Sequence, residues 1–244
     1  VINNKMSVEH IQLNQGTLAQ LFKLPKDMID YLWECIDVAK KKKINVKKDL
    51  AGNISHSYTL EDPQNLVIEK LFNIVFNQVD NPKMFNFINE EIEKVYSKIS
   101  HARNIKLEPR LRSLWVNFQK KCEFQPVHNH RGVFSFVIWM DIPCHWKDDL
   151  KLSFTESNCE DEIVGSFNFL YSQSDSRSVR SHGIPMSPSM NGYCCFFPSD
   201  LCHQVYPFYT SDKERISISG NIVFEMVETP EQRSQQIPFL ISNT

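Results

Sequence analysis

Two histidines separated by one residue, His128 and His130 in "EFQPVHNHRGVFSFVIWMDIP", stand at the mouth of a long apolar run. In a strand, residues i and i+2 point to one face, so the two imidazoles would stand side by side while Val127 and Asn129 face away. That arrangement suits a metal. Two surface histidines, or one core and one loop histidine, explain the same spacing, so the pair needs partners elsewhere. His203, in "FFPSDLCHQVYPF", follows a proline-bounded turn at the start of a predicted strand, where a third ligand could meet the pair from a neighbouring strand.

Beyond it, "RISISGN" places Arg215, Ser217, Ser219 and Asn221 on one strand face and Ile216, Ile218 and Ile222 on the other. Two readings fit. Either the isoleucines pack on the core and the polar row meets water, or the polar row lines a wet cavity while the isoleucines pack outward under helices. On the strand alone the first is the commoner outcome; together with the histidines the second is favoured. Arg215 offers a planar fork of donors that matches a carboxylate, and Ser217 adds a hydroxyl on the same face. A buried arginine without an anionic partner is costly, so Arg215 inside a barrel points to an anionic ligand.

Other residues attach to this set with weaker arguments. Trp115, Asn117 and Gln119 share a strand face and would border a bound co-substrate, although Trp115 also reads as simple core. Ser135 and Trp139 lie on one face of the next strand, opposite Phe134, Phe136, Ile138 and Met140, which places Ser135 inside the barrel. Asn221 ends the polar row of "RISISGN". Arg131 reads as a surface loop residue or a substrate contact, and His182 as an exposed loop histidine or part of a cover. His56, His101 and His145 have no partner at a suggestive spacing.

The elements that must position these residues divide by periodicity near residue 108. Before it, "PKDMIDYLWECIDVAKK", "PQNLVIEKLFNIVFNQV" and "NPKMFNFINEEIEKVYSKISHARN" show helical spacing. Asp62-Pro63 and Asn81-Pro82 suit first turns of the last two. "VEHIQLNQGTLAQLFKLP" reads as an initial strand and a short connection, and "LAGNISHSYTLE" as a loop folding back on the core. After 108 come short β-rich segments: "LRSLWVNFQKK", "VFSFVIWMDIP", "LKLSFTE", "FNFLYS", "GYCCFFPSD", "CHQVYPF" and "ERISISGNIVFEM". Closely spaced strands with no helical pattern between them imply an antiparallel sandwich or barrel. The expected fold is α+β, mainly β: a jelly roll with a supporting N-terminal helical layer. One domain is expected over 1–244, with a mostly helical layer over 1–108, a jelly-roll core over 109–228 and a tail over 229–244.

Composition bounds the function. The 244 residues are 41% hydrophobic and 23% charged, which is ordinary for a globular protein. Lys plus Arg number 27 against 29 acidic residues, so the net charge of -2 gives no case for nucleic acid or a membrane surface. The basic run "KKKKINVKK" at 40–48 reads as a solvated helix end and loop. Seven cysteines without CxxC spacing, and no signal-like start, point to a reducing cytoplasm. No apolar stretch approaches the ~20 residues of a membrane helix.

Taken in order, "LWVNF" with Trp115 and Asn117, "HNHRGVFSFVIW", "FPSDLCHQV" and "RISISGN" resemble the iron(II)- and 2-oxoglutarate-dependent oxygenases. The nearer resemblance is to oxygenase-like proteins of phages and marine bacteria with an H-x-H, distal H and R-x-S pattern. It covers residues 110 to 225 well, and "LAGNI" at 50–54 weakly. It implies a double-stranded β-helix of cupin type, with His128, His130 and His203 as ligands of iron(II). Arg215 and Ser217 would hold the distal carboxylate of 2-oxoglutarate, and Asn117, Ser135 and Asn221 would border it. The implied reaction is oxidation of an unactivated C–H bond, usually hydroxylation, with release of succinate and carbon dioxide.

One position departs from the wider superfamily, where aspartate or glutamate stands in place of His130. A neutral imidazole there leaves the metal site one unit more positive. Three-histidine sites also occur in thiol dioxygenases and in zinc enzymes that use no 2-oxoglutarate, which leave Arg215 without a task. An acidic ligand from another segment, Asp141 or Glu156, is a further alternative, and a jelly-roll binding or structural module with incidental histidines is a third. A small molecule or a protein side chain is the expected substrate, and a homodimer through the helices is left open.

Overall fold

The computed structural model describes residues 8–14, 17–77, 86, 90, 93, 106–155, 164–172 and 178–227. Most of these build two antiparallel sheets. Strands β1 (Val8–Asn14), β2 (Thr17–Lys23), β3 (His56–Thr59), β4 (Lys106–Gln119), β6 (Phe134–Asp141), β9 (Tyr193–Pro198) and β11 (Arg215–Val227) form the large sheet, in the order β1-β2-β9-β6-β11-β4-β3. Strands β5 (Gln125–His128), β7 (Phe167–Ser172), β8 (Val179–Ile184) and β10 (His203–Val205) form the small one, in the order β5-β10-β7-β8. The arrangement is a jelly-roll-like β-sandwich.

The alternation of β11 explains how the sheets stack. Ile216, Ile218 and Ile222 join a core cluster with Met28, Leu32 and Ile36 of helix α1 (Lys26–Lys42) and Val67 and Leu71 of helix α2 (Leu66–Asn77). The isoleucines therefore pack outward under the helices. The other face of the large sheet meets the small sheet through a second cluster with Val137, Trp139, Phe167, Phe169 and Phe197. Gly220 faces Phe136, where an added Cβ would lie 2.5 Å from the ring, so this strand position must lack a side chain.

The helices form where local chemistry favours them. In α1 the buried residues Met28, Tyr31, Leu32, Cys35, Ile36 and Ala39 recur at helical spacing, and Lys40, Lys41 and Lys42 occupy the last turn, where cations suit the helix dipole. The helix stops at Lys43, which is left-handed at φ 50. Asp62 caps α2 by accepting from the amides of Leu66 at 3.1 Å and Val67 at 2.9 Å, and it accepts from the Tyr31 hydroxyl of α1 at 2.6 Å.

Several local expectations change. "VEHIQLNQGTLAQLFKLP" is a hairpin of two strands, β1 and β2, rather than one strand and a connection. The segment expected as a loop contains β3, which pairs with β4. Three strands of the large sheet thus come from the part expected to be mostly helical. "LKLSFTE" is not a strand over its described residues: 151–155 are turns following the short helix α3 (Trp146–Asp149). Asp149 is fully buried and its Oδ1 accepts from the amides of Tyr209 and Thr210, which holds the chain in this wrapped course. The third expected helix lies mostly outside the described residues; Asn86, Glu90 and Glu93 are helical. Among the described residues no cysteine is in a disulfide, and no helix is long and apolar enough to cross a membrane.

Candidate metal and carboxylate site

His128 ends β5 and His203 begins β10, and the two are direct partners across these strands. His130 lies past the end of β5, so the paired imidazoles are not strand neighbours at i and i+2 as expected. Its position comes from a different device: its amide donates to the carbonyl of Ser199 at 2.8 Å, and the Ser199 amide donates to Val133 at 3.0 Å. Gly132 makes this turn with φ +148, and an added Cβ would lie 2.8 Å from the Ile222 carbonyl oxygen. The "HNHRG" loop is thereby clasped to the loop that leads to His203.

The three rings converge. One potential ligand nitrogen from each of His128, His130 and His203 lies within 4.8 Å of the others. The Nδ1–H of His128 donates to the Pro126 carbonyl at 2.7 Å and that of His203 to the Leu201 carbonyl at 2.9 Å. A carbonyl can only accept, so both rings carry their proton on Nδ1 and leave the Nε2 lone pair for a metal. Phe167, Phe169 and Phe197 surround the His203 ring, with Phe197 nearest at 4.9 Å between centroids. Burial favours the uncharged form of all three imidazoles. It lowers His128, pushes His130 down to about 4 with help from the nearby His128, and takes His203 well below the ordinary range. Neutral imidazoles with converging lone pairs fit a divalent metal.

No carboxylate joins this group among the described residues. Asp141, at the end of β6, is not brought to it, and Glu156 lies outside the described residues.

Across the pocket stands the large sheet. Arg215 and Ser217 line the same cavity as the three histidines, with Trp139, Phe167 and Phe197 as apolar wall. Arg215 is 3% exposed, and burial lowers its guanidinium to about 10. Its Nε and Nη2 both donate to Gln119 Oε1, at 3.2 and 2.8 Å, while Nη1 donates to the Gly165 carbonyl and Nη2 to the Tyr206 carbonyl, each at 2.8 Å. Four of five N–H donors are used on neutral acceptors, so one at Nη1 is left over. The Ser217 and Ser219 hydroxyls line the cavity and make no hydrogen bond among the described residues. A buried cation held by neutral acceptors, with hydroxyls beside it, suits a carboxylate.

The remaining candidates stand elsewhere. Asn117 lies between Trp115 and Gln119 on β4 but is 2% exposed and accepts from the Ser57 hydroxyl of β3 at 2.7 Å. Ser135 shares a 2.8 Å hydrogen bond with Ser199 and donates to Asn221 at 2.8 Å; Asn221 in turn donates to Ser113 at 2.9 Å. Asn117 and Ser135 do not line the cavity, because neighbouring strands take their polar atoms first. Asn221 lines a different groove, described below. His182 lies on β8, away from the three rings. Gln119, Gly165 and Tyr206 are the residues that hold Arg215. Gln119 was readable from the alternation of β4, but the two carbonyls leave no trace in residue type. Asp149 was also missed; one of its oxygens is buried without a partner, and its charge acts on Arg215.

Residues 113–221 match the model of a family described as "Putative 2OG-Fe(II) oxygenase". No curated protein matches the chain. Among solved structures, a Pseudomonas putida prolyl-4-hydroxylase is 16% identical, with 84% of this chain and 91% of that chain covered and a TM-score of 0.42. A viral collagen prolyl hydroxylase from Paramecium Bursaria Chlorella virus-1, in a 2OG complex, is 12% identical, with 84% and 94% covered and a TM-score of 0.40. A Trichoplax adhaerens prolyl hydroxylase, in complex with a hypoxia inducible factor peptide fragment, is 9% identical, with 96% and 88% covered and a TM-score of 0.37. The family match spans His128, His130, His203, Arg215 and Ser217, so sequence family and pocket fall on the same residues and support the 2OG-Fe(II) oxygenase superfamily, with iron(II) and 2-oxoglutarate as cofactors.

Proposed function

We propose that this protein is an iron(II)- and 2-oxoglutarate-dependent dioxygenase that hydroxylates its substrate and releases succinate and carbon dioxide. One observation carries the reading: three imidazoles from the small sheet's side and a buried arginine from the large sheet line one cavity. In this reading Nε2 of His128 and His203 and one nitrogen of His130 hold the metal. The carbonyls of Pro126 and Leu201 fix the tautomers of two of these rings. Arg215 and Ser217 take the distal carboxylate of 2-oxoglutarate, and Gln119 holds the guanidinium plane in place. Trp139, Phe167 and Phe197 keep water from the pocket wall, which strengthens each charged contact inside it. The bound metal and co-substrate supply the oxidising power. The chain is further placed with the phage and marine-bacterial proteins that share its H-x-H, H and R-x-S pattern.

Anaerobic addition of iron(II), then 2-oxoglutarate, tests this directly. A weak visible charge-transfer band is expected only after the second addition. Iron binding without measurable 2-oxoglutarate affinity would sink the proposal. The absence of a carboxylate from the described ligand group favours a second reading, a three-histidine metal centre that uses no 2-oxoglutarate. Metal analysis of protein purified without chelators distinguishes them: zinc in place of iron supports the second.

A further inference from the structure

Trp115 separates two spaces. One is the cavity with the histidines and Arg215; the other is a groove open to solvent, lined by Arg112, Arg131, Asn129, Leu114, Trp115 and His130 among others. His130 and Trp115 line both. The groove therefore reaches His130 of the metal site, and Arg215 is not among its lining residues. We propose that it seats the substrate, and that the substrate carries a carboxylate or phosphate held between Arg112 and Arg131. This rests on the oxygenase reading above for the reaction, though not for the binding.

Three observations support an anionic occupant. Arg112 and Arg131 are both exposed, and among the described residues neither makes an ion pair or hydrogen bond. Arg110, two residues earlier on β4, behaves oppositely: it pairs with Glu108 at 2.7 Å and Glu225 at 3.7 Å. Among the described residues no aspartate or glutamate lines the groove, so there its two cations face only neutral groups. Since the chain as a whole has a net charge of -2, unpaired cations here do not follow from a general excess.

The second observation is an orphan donor. Trp115 is 5% exposed and its Nε1–H is buried without a hydrogen-bond partner, beside the His130 ring at 5.7 Å between centroids. A buried donor left unmade costs free energy, which an oxygen acceptor reaching it from either space that Trp115 lines would recover. The third concerns the basic run at 40–48. Val46 and Leu50 line the groove, and of the three residues between them, Lys47, Lys48 and Asp49, the two lysines are exposed without ion pairs among the described residues. The stretch that reads as a solvated helix end thus forms a basic rim. Unpaired cations, an unpaired N–H and no carboxylate among the described lining residues all complement one kind of ligand, an oxyanion.

Matched blocked tripeptides, Ala-Glu-Ala, Ala-Gln-Ala and Ala-phosphoserine-Ala, serve as probes. Binding is read by saturation-transfer NMR on the metal-free protein, which needs no turnover. The glutamate or phosphoserine probe is expected to bind and the glutamine probe not to; which acid binds more tightly tells carboxylate from phosphate. Arg112→Ala with Arg131→Ala should weaken the acid probes by about tenfold or more, the scale of one lost charge-assisted hydrogen bond. The same variant should retain the charge-transfer band with iron(II) and 2-oxoglutarate. Equal binding of glutamate and glutamine probes, no binding of any of them, or unchanged affinity in the double variant overturns the proposal. A missing band in the wild-type protein, with acid binding intact, overturns the oxygenase reading instead.

Discussion

The two faces of β11 differ by one residue in register and by nearly everything in physical role. On the outer face, Ile216, Ile218 and Ile222 sit under α1 and α2 at 8%, 0% and 0% exposure. Each such side chain contributes about 1.5–3 kcal/mol by leaving water. On the inner face, Arg215 is as deeply buried, yet burial disfavours its charge, and Gln119, two backbone carbonyls and the nearby Asp149 offset part of the loss. The hydroxyls of Ser217 and Ser219 next to it bond to no described residue. One face stabilises the sheet, while the other is held in a state that a ligand can improve. The same strand separates the work of folding from the work of binding.

This contrast can be broken most directly at a metal ligand. His130→Ala should lower iron affinity by more than about 100-fold, since changes even one shell further out cost 10–100-fold. Its thermal midpoint should move less than that of Ile218→Ala. Iron content by mass spectrometry, read beside a melting curve, checks both; unchanged iron content would remove His130 from the ligand set. Ile218→Ala is the reciprocal change. A cavity in the outer cluster should cost about 2–5 kcal/mol in denaturant unfolding, with iron affinity of the folded protein retained.

Arg215→Ala sharpens the comparison within the inner face. It should weaken 2-oxoglutarate binding by about tenfold or more, while the metal stays bound, as anaerobic titration would show. A smaller effect is expected from acid. His130 is held at about 4 against an ordinary 6.5, so between those values the unfolded chain takes up a proton that the folded chain does not. The metal-free protein should therefore lose stability as pH falls from about 6.5 towards 4, and His130→Gln should flatten that slope. Ser135→Ala should have the least effect on ligands: it leaves iron and 2-oxoglutarate binding unchanged, and costs about 1 kcal/mol through its bonds to Ser199 and Asn221.

Much of this division was legible in the chain. The alternation of "RISISGN" separates the two faces at a glance, and the helical spacing of 26–42 supplies what covers the isoleucines. His203 was legible because it stands at the start of a strand, where a neighbouring strand can bring it beside His128. The failures share a cause, which is that tertiary contacts outrank local pattern. "LKLSFTE" alternates like a strand, but the buried Asp149 draws the segment before it onto the amides of 209 and 210. Strand β8 reads as a loop because its residues are half-exposed at the edge of the small sheet. Asn117 and Gln119 share one strand face and could not be told apart by type; Ser57 of β3 takes the first and leaves the second for Arg215.

The clasp between the "HNHRG" loop and Ser199 has a consequence for how this sequence can change. His130 takes its place from the Ser199 carbonyl, and His203 follows Ser199 by four residues. A residue inserted or deleted between 199 and 203 would displace His203 from its partner His128, and one inserted between 130 and 133 would break the clasp itself. Length in these two loops is therefore fixed jointly, whereas the exposed side chain of Asp200 is free to vary.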